Sequence, residues 1–143
     1  MDVQLLHPDA RPPARTRSGD AAYDLRCLEG FTLAPGERAI IPTGIAIAIH
    51  VGLCGLVLPR SGLALEHGVT CANAPGLIDA SYRGEVRVIM INHGKQPFEA
   101  EAGDRIAQLL IVPAMDDDPV VVDQLPPGAD DRGAGGFGSS GRR

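Results

Sequence analysis

The chain has 143 residues, room for one domain with a single core. Hydrophobic residues make up 44% of it but aromatics only 3%, and tryptophan is absent, so the core has to be built from Val, Ile, Leu and Ala. A net charge of −5 excludes the dense basic surface that a nucleic-acid backbone requires, yet permits a small anionic ligand neutralised by a few arginines or a divalent metal.

The start, Met1-Asp2-Val3-Gln4, shows no basic segment followed by an apolar stretch, so no secretory leader is predicted. No apolar run is long enough to span a bilayer, and the expectation is a soluble, cytoplasmic protein without membrane partners. Short strands are predicted at 22–27, 31–33, 38–41, 44–49, 55–58, 69–72, 86–92, 105–112 and 120–123. Turn signals separate them, among them Ala34-Pro35-Gly36, Pro42-Thr43-Gly44 and His93-Gly94-Lys95. Ile45, Ile47 and Ile49 alternate with alanines, giving one face of large residues and one of small. One helix of about two turns is expected after strand 55–58, with Ser61 as N-cap, Leu63-Ala64-Leu65-Glu66 as its body and Gly68 as its left-handed end. With Gly 18 and Pro 12, many short strands of this kind point to a sandwich, jelly roll or barrel.

Cys27, Cys54 and Cys71 are odd in number and widely spaced, which suits small buried hydrophobes in a reducing compartment. His7, His50, His67 and His93 have no metal-ligand spacing. After Val112 the composition shifts. Asp116-Asp117-Asp118-Pro119 reads as a turn or solvated acidic patch, and Pro126-Pro127-Gly128 opens a linker to a glycine-rich tail. The expected division is a folded domain over 1–125 and a linker with a lid over 126–143.

Five places could carry chemistry. In Gly76-Leu77-Ile78-Asp79-Ala80-Ser81-Tyr82-Arg83-Gly84-Glu85-Val86, an acid, an aromatic ring and a base stand close together between glycines. That suits a small planar ligand: Tyr82 packs, the main chain bonds, Asp79 handles a proton. The same stretch also reads as a β-hairpin with a solvated turn. Leu58-Pro59-Arg60-Ser61-Gly62-Leu63 sets a guanidinium, a hydroxyl and free N–H groups at a helix start, the make-up of an anion site. Asp24, inside the apolar Ala21-Ala22-Tyr23-Asp24-Leu25, needs an arginine partner or a functional one. In Gly103-Asp104-Arg105-Ile106-Ala107-Gln108-Leu109, Gln108 shares the face of Ile106 and is a candidate ligand contact. The tail Arg132-Gly133-Ala134-Gly135-Gly136-Phe137-Gly138-Ser139-Ser140-Gly141 places a cation, a ring and two hydroxyls on a flexible backbone, as a lid over a phosphorylated ligand would. It lacks the Gly-Lys-[Ser/Thr] of a Walker A loop.

Taken in chain order, these segments resemble the five ordered motifs of the trimeric dUTPases (deoxyuridine triphosphate nucleotidohydrolases). Ala22, where glycine is common, and Ser140, where threonine often occurs, are the departures. The resemblance implies an all-β, jelly-roll-like barrel with one short helix and a flexible tail. It implies a homotrimer with active sites at subunit interfaces, hydrolysing dUTP to dUMP and pyrophosphate with Mg²⁺. On that likeness Asp79 is the general base for the water attacking the α-phosphorus. Tyr82 packs on the deoxyribose and leaves no room for a 2′-hydroxyl. Main-chain groups from Asn73 to Arg87, those of Leu77 and Ile78 included, read the uracil edge. Arg60, Ser61, Gly62 and Gln108 hold phosphates, and Asp24 organises the phosphate and metal region. In the tail, Arg132, Ser139 and Ser140 grip the outer phosphates, Phe137 stacks on the uracil, and Gly138 lies between them. The metal has no direct protein ligand, being held by phosphates and water. The dCTP deaminases share the fold, but their pattern expects an acid where Arg87-Val88-Ile89-Met90 has Ile89. A catalytically silent nucleotide-binding regulator is the third reading, which the presence of Asp79 disfavours.

Overall fold

A computed structural model describes residues 1–115 and 117–128. Ten strands and one helix follow in chain order: β1 (Asp2–Leu5), β2 (Tyr23–Arg26), β3 (Phe31–Leu33), β4 (Arg38–Ala48), β5 (Leu53–Leu58), α1 (Ser61–His67), β6 (Val69–Cys71), β7 (Gly76–Ile78), β8 (Glu85–Asn92), β9 (Phe98–Ala100) and β10 (Arg105–Pro113). They form two four-stranded sheets, β1-β4-β8-β6 and β2-β10-β5-β7, and a two-stranded sheet β3-β9, antiparallel throughout. The fold is all-β and jelly-roll-like, as the spacing of turns and strands leads one to expect. The inner faces of the two larger sheets supply an aliphatic core: Leu25, Ile45, Ile47, Val69, Val86, Val88, Met90, Ile106 and Leu109 are buried together. With so few aromatics, β-branched residues fill it, as a half-buried pleated surface favours. No described helix is long and apolar enough to cross a membrane.

Several expectations need correction. Residues 38–41 and 44–49 are not two strands parted by a turn at Pro42-Thr43-Gly44. They are one strand, β4, with a bulge, and its pairing with β8 jumps from Pro42↔Arg87 to Ala46↔Glu85. Side chains mend the broken ladder: the Thr43 hydroxyl donates to the Val86 carbonyl, and the Gly44 N–H donates to Glu85 Oε1 at 2.8 Å. Ser61 is the first residue of α1 rather than its N-cap; Arg60 holds the cap position with no side-chain cap bond. The helix does end at a left-handed Gly68. Three short strands, β1, β7 and β9, were not expected. The predicted strand at 120–123 is absent: the segment has no ladder and Val121 is 98% exposed. Three valines favour an extended chain, but a strand also needs a partner edge, and none of the described residues offers one. Cys27 and Cys71 are buried as anticipated, whereas Cys54 is only half-buried. Burial pushes the Cys71 thiol up to about 11, which makes it inert.

Candidate active site

The Gly76–Val86 stretch is not a paired hairpin. Its arms β7 and β8 belong to different sheets and share no ladder. Among the described residues, β7 is an edge strand bonded only to β5, and the first half of β8 has a ladder only with β4, because β6 joins it further along, from Met90. Two main-chain edges therefore face each other with no ladder between them across a slot of about 260 Å³. Asn73, Leu77, Ile78, Asp79, Tyr82, Arg87 and Ile89 line the slot, with Val57 and Val86 at its floor. Asp79 and Tyr82 stand at its lip, at the two ends of one tight turn in which the Tyr82 N–H donates to the Asp79 carbonyl at 3.1 Å. The Tyr82 ring is 42% exposed. Its hydroxyl donates to the Glu85 carbonyl at 2.9 Å. The Arg83 guanidinium donates to the carbonyls of Ala80 (2.6 Å) and Tyr82 (2.7 Å), tying the turn to itself.

A second cleft, of about 480 Å³, is lined by Thr16, Arg17, Asp24, Leu58, Arg60, Arg105 and Gln108, among others. Asp24 is its hub, only 8% exposed. Its Oδ2 accepts from the Thr16 hydroxyl at 2.8 Å and from Arg105 Nη1 at 3.2 Å, while Arg60 Nε lies 3.8 Å from Oδ1. Burial alone would raise this carboxyl; the Thr16 hydroxyl and the two guanidinium groups outweigh it and hold Asp24 below its ordinary value. Arg60 is likewise lowered, first by burial and then by the nearby Arg105 charge. It also donates to the Arg105 carbonyl at 2.7 Å, which fixes the guanidinium against the wall. Ser61 and Gly62 follow at the exposed start of α1. The expectation that Gln108 shares a face with Ile106 is wrong. A register shift between Arg105 and Ala107 reverses the alternation, so Ala107 and Leu109 enter the core and Gln108 lines the cleft.

These geometries sit on a chain whose residues 9–141 match the family model described as dUTPase. A deoxyuridine 5′-triphosphate nucleotidohydrolase of Anaeromyxobacter sp. (strain Fw109-5) is 50% identical over 94% of this chain and 90% of its own length. The chain belongs to the dUTPase family. A variant of the Staphylococcus bacteriophage 80alpha dUTPase, solved with dUpNHpp, superposes with a TM-score of 0.87 at 30% identity, covering 98% of this chain and 97% of that one. A variant dUTPase of Staphylococcus aureus phage phi11, in which a structural Mg(II) ion is coordinated, has a TM-score of 0.80 at 28% identity over 88% of this chain and 98% of that one.

Among the described residues of this dUTPase chain, the motifs gather in two separate places. Asn73, Leu77, Ile78, Asp79, Tyr82 and Arg87 gather in the slot, and Asp24, Arg60 and Gln108 in the cleft, with no lining residue in common. Consecutive residues of β5 separate the two: Val57 lines the slot and Leu58 the cleft, and neighbours along a strand point to opposite faces. Arg132, Phe137, Gly138, Ser139 and Ser140 lie outside the described residues. Three side chains escaped the sequence reading. Thr16 gave no signal, since it sits in an irregular segment tied to Asp24 by the isolated Ala14↔Asp24 bridge and by its own hydroxyl. Arg105 was visible as part of a motif but not as the partner that Asp24 required. Glu85 was visible too, though nothing in the sequence links it to a glycine 41 residues away.

Proposed function

We propose that the chain hydrolyses dUTP to dUMP and pyrophosphate, limiting uracil in DNA and supplying dUMP for thymidylate synthesis. The observation that carries this reading is the slot with two main-chain edges and no ladder between them. A uracil between them meets fixed N–H and C=O groups, as it would meet a partner base. A carbonyl facing N3–H rejects cytosine, whose N3 has no proton, because an unpaired buried polar group is strongly unfavourable. Tyr82 packs on the deoxyribose, and its ring occupies the space that a 2′-hydroxyl would need.

Asp79, exposed at the lip, takes the proton of the water as its oxygen bonds to the α-phosphorus. The bond from that phosphorus to the bridging oxygen breaks, and pyrophosphate leaves. A carboxylate suffices as base where positioning and charge neutralisation carry most of the acceleration. Arg60 and Gln108, with Ser61 and Gly62, hold the phosphates. Mg²⁺, when bound, neutralises charge on the triphosphate. The residues present fit an ion held by phosphate oxygens and water: Asp24 already has Oδ2 engaged by Thr16 and Arg105, which leaves it to accept from metal-bound waters and to order the arginines. Arg132, Ser139 and Ser140 grip the outer phosphates, and Phe137, followed by Gly138, closes over the base, as a lid of residues 126–143 on a domain of residues 1–125.

A homotrimer with sites between subunits is supported by the separation of slot and cleft, since one copy supplies the base and sugar end and another the phosphate end. Exposed apolar surface supports it too: Ile40, 57% exposed on the outer face of β4, and the valines of 120–122. The setting is cytoplasmic, where free thiols persist. The test is pyrophosphate release from dUTP, dCTP, dTTP and UTP side by side, with ammonia measured in parallel. Release from dUTP alone is expected; ammonia from dCTP, or no release at all, overturns the reading. Ile89 lines the slot where a deaminase would need an acid.

A further inference from the structure

We propose that Glu85, which lines the slot beside Tyr82, is a positioning residue for sugar selection, holding the Tyr82 ring in place. The inference rests on the dUTPase reading and on the packing of Tyr82 against the deoxyribose. Beyond its ladder pairing with Ala46, Glu85 makes two bonds in two directions. Its carboxylate accepts the Gly44 N–H at 2.8 Å, which fastens the first residue of β8 to the bulge of β4. Its carbonyl accepts the Tyr82 hydroxyl at 2.9 Å. The ring is thus tethered at its far end to Glu85 and at its backbone to Asp79.

The bulge is itself firmly held. The Leu28 N–H donates to the Pro42 carbonyl at 2.9 Å, and the Leu6 N–H to the Gly44 carbonyl at 2.8 Å. Gly44 sits at φ +69°, and a Cβ there would come within 2.9 Å of the Ala10 methyl, so the bulge is built around a glycine at the donor position. Gly84 completes the arrangement. A Cβ on Gly84 would lie 2.6 Å from the Tyr82 hydroxyl oxygen and 2.8 Å from the adjoining ring carbon. The ring can fold back to Glu85 only because residue 84 has no side chain. A buried ring would be held by packing; one this exposed depends on its tethers.

Truncating the Glu85 side chain keeps the carbonyl that the Tyr82 hydroxyl bonds but releases it from the bulge, which leaves the ring in the site and frees it to yield to a larger sugar. The measured quantity is the ratio of kcat/KM for dUTP to that for UTP. Glu85→Ala is expected to lower this ratio roughly tenfold, the scale of one lost hydrogen bond, mainly by improving UTP while kcat for dUTP changes little. Glu85→Gln, which retains an amide oxygen for the Gly44 N–H, is expected to keep the wild-type ratio. Gly84→Ala keeps the carboxylate tie but displaces the ring, so it should lower the ratio even where Glu85→Ala proves too unstable to assay. An unchanged ratio in folded Glu85→Ala or in Gly84→Ala overturns the proposal, as does a loss of the ratio in Glu85→Gln equal to that in Glu85→Ala. If the wild-type chain instead fails to hydrolyse dUTP, the reading of the function has failed, a distinct result.

Discussion

On the proposed function, the slot between β7 and β8 and the cleft around Asp24 handle two ends of one ligand with opposite materials. The slot works with peptide groups and a few exposed side chains at its lip, and its polar main chain is left open because two sheets part there. The cleft works with side-chain charge: a buried carboxylate, a hydroxyl and two guanidinium groups, each engaged before any ligand arrives. Planar recognition of a base edge needs donors and acceptors at fixed spacing, which a strand edge provides. Triphosphate recognition needs positive charge held against its own repulsion, which requires a counter-ion such as Asp24. The slot is therefore tuned by backbone position and the cleft by protonation and charge.

On that division, the largest effect belongs to Asp79, the proposed base at the lip of the slot. Asp79→Asn is expected to lower kcat by on the order of 10³-fold while a non-hydrolysable dUTP analogue still binds, as calorimetry would register. Loss of binding in step with turnover would move Asp79 from proton transfer to ligand grip. Next, Arg60→Ala should reduce kcat/KM by about 10²-fold. Mixing its subunits with those of Asp79→Asn should restore a substantial part of the activity, since each variant keeps the half that the other lacks. Failure of any mixture to recover would place slot and cleft of a working site in the same copy.

Smaller effects test the cleft as a structural unit. Asp24→Ala should destabilise the fold by about 2 kcal/mol in urea unfolding, because two partly buried guanidinium groups lose their shared counter-ion. Thr16→Val should remove about 1 kcal/mol and also shift an acid transition. Asp24 is held below its ordinary value, so its contribution is fully present above its unfolded pKa, about 3.9, and disappears as pH falls through the lower folded value. Without the Thr16 hydroxyl the folded value rises toward the unfolded one. The stability contribution shrinks, and what remains is lost at higher pH, visible in melting temperatures between about pH 2 and 5. An acid transition identical to wild type would remove Thr16 from the control of Asp24.

Much of this was legible in the sequence, for identifiable reasons. The Ile45, Ile47 and Ile49 alternation, the helix ending at Gly68 and the need of Asp24 for an arginine all follow from local chemistry. The rest depends on partners remote in sequence. Pro42-Thr43-Gly44 carries turn residues, but Glu85 and Val86 across the sheet make it a bulge. Gln108 looked inward by simple alternation until the register shift beside it reversed the count. The valines of 120–122 have the propensity for a strand and no edge among the described residues to join. β7 was missed because three residues beginning with glycine carry almost no periodicity, although that short strand opens the slot.

The parting of β7 and β8 bears on how such a protein can change over time. Where the ligand is read by peptide groups, replacing a side chain leaves the pattern of donors and acceptors intact. On the proposed function, replacing the exposed Leu77 side chain leaves its main-chain groups in place and teaches the site no new base. Retuning the choice of base would take an insertion, a deletion or a shift of strand register, each of which disturbs the β5 ladder as well. Fidelity is in this way shielded from the commonest kind of mutation, and a path to a different nucleobase runs through the architecture instead of through single codons.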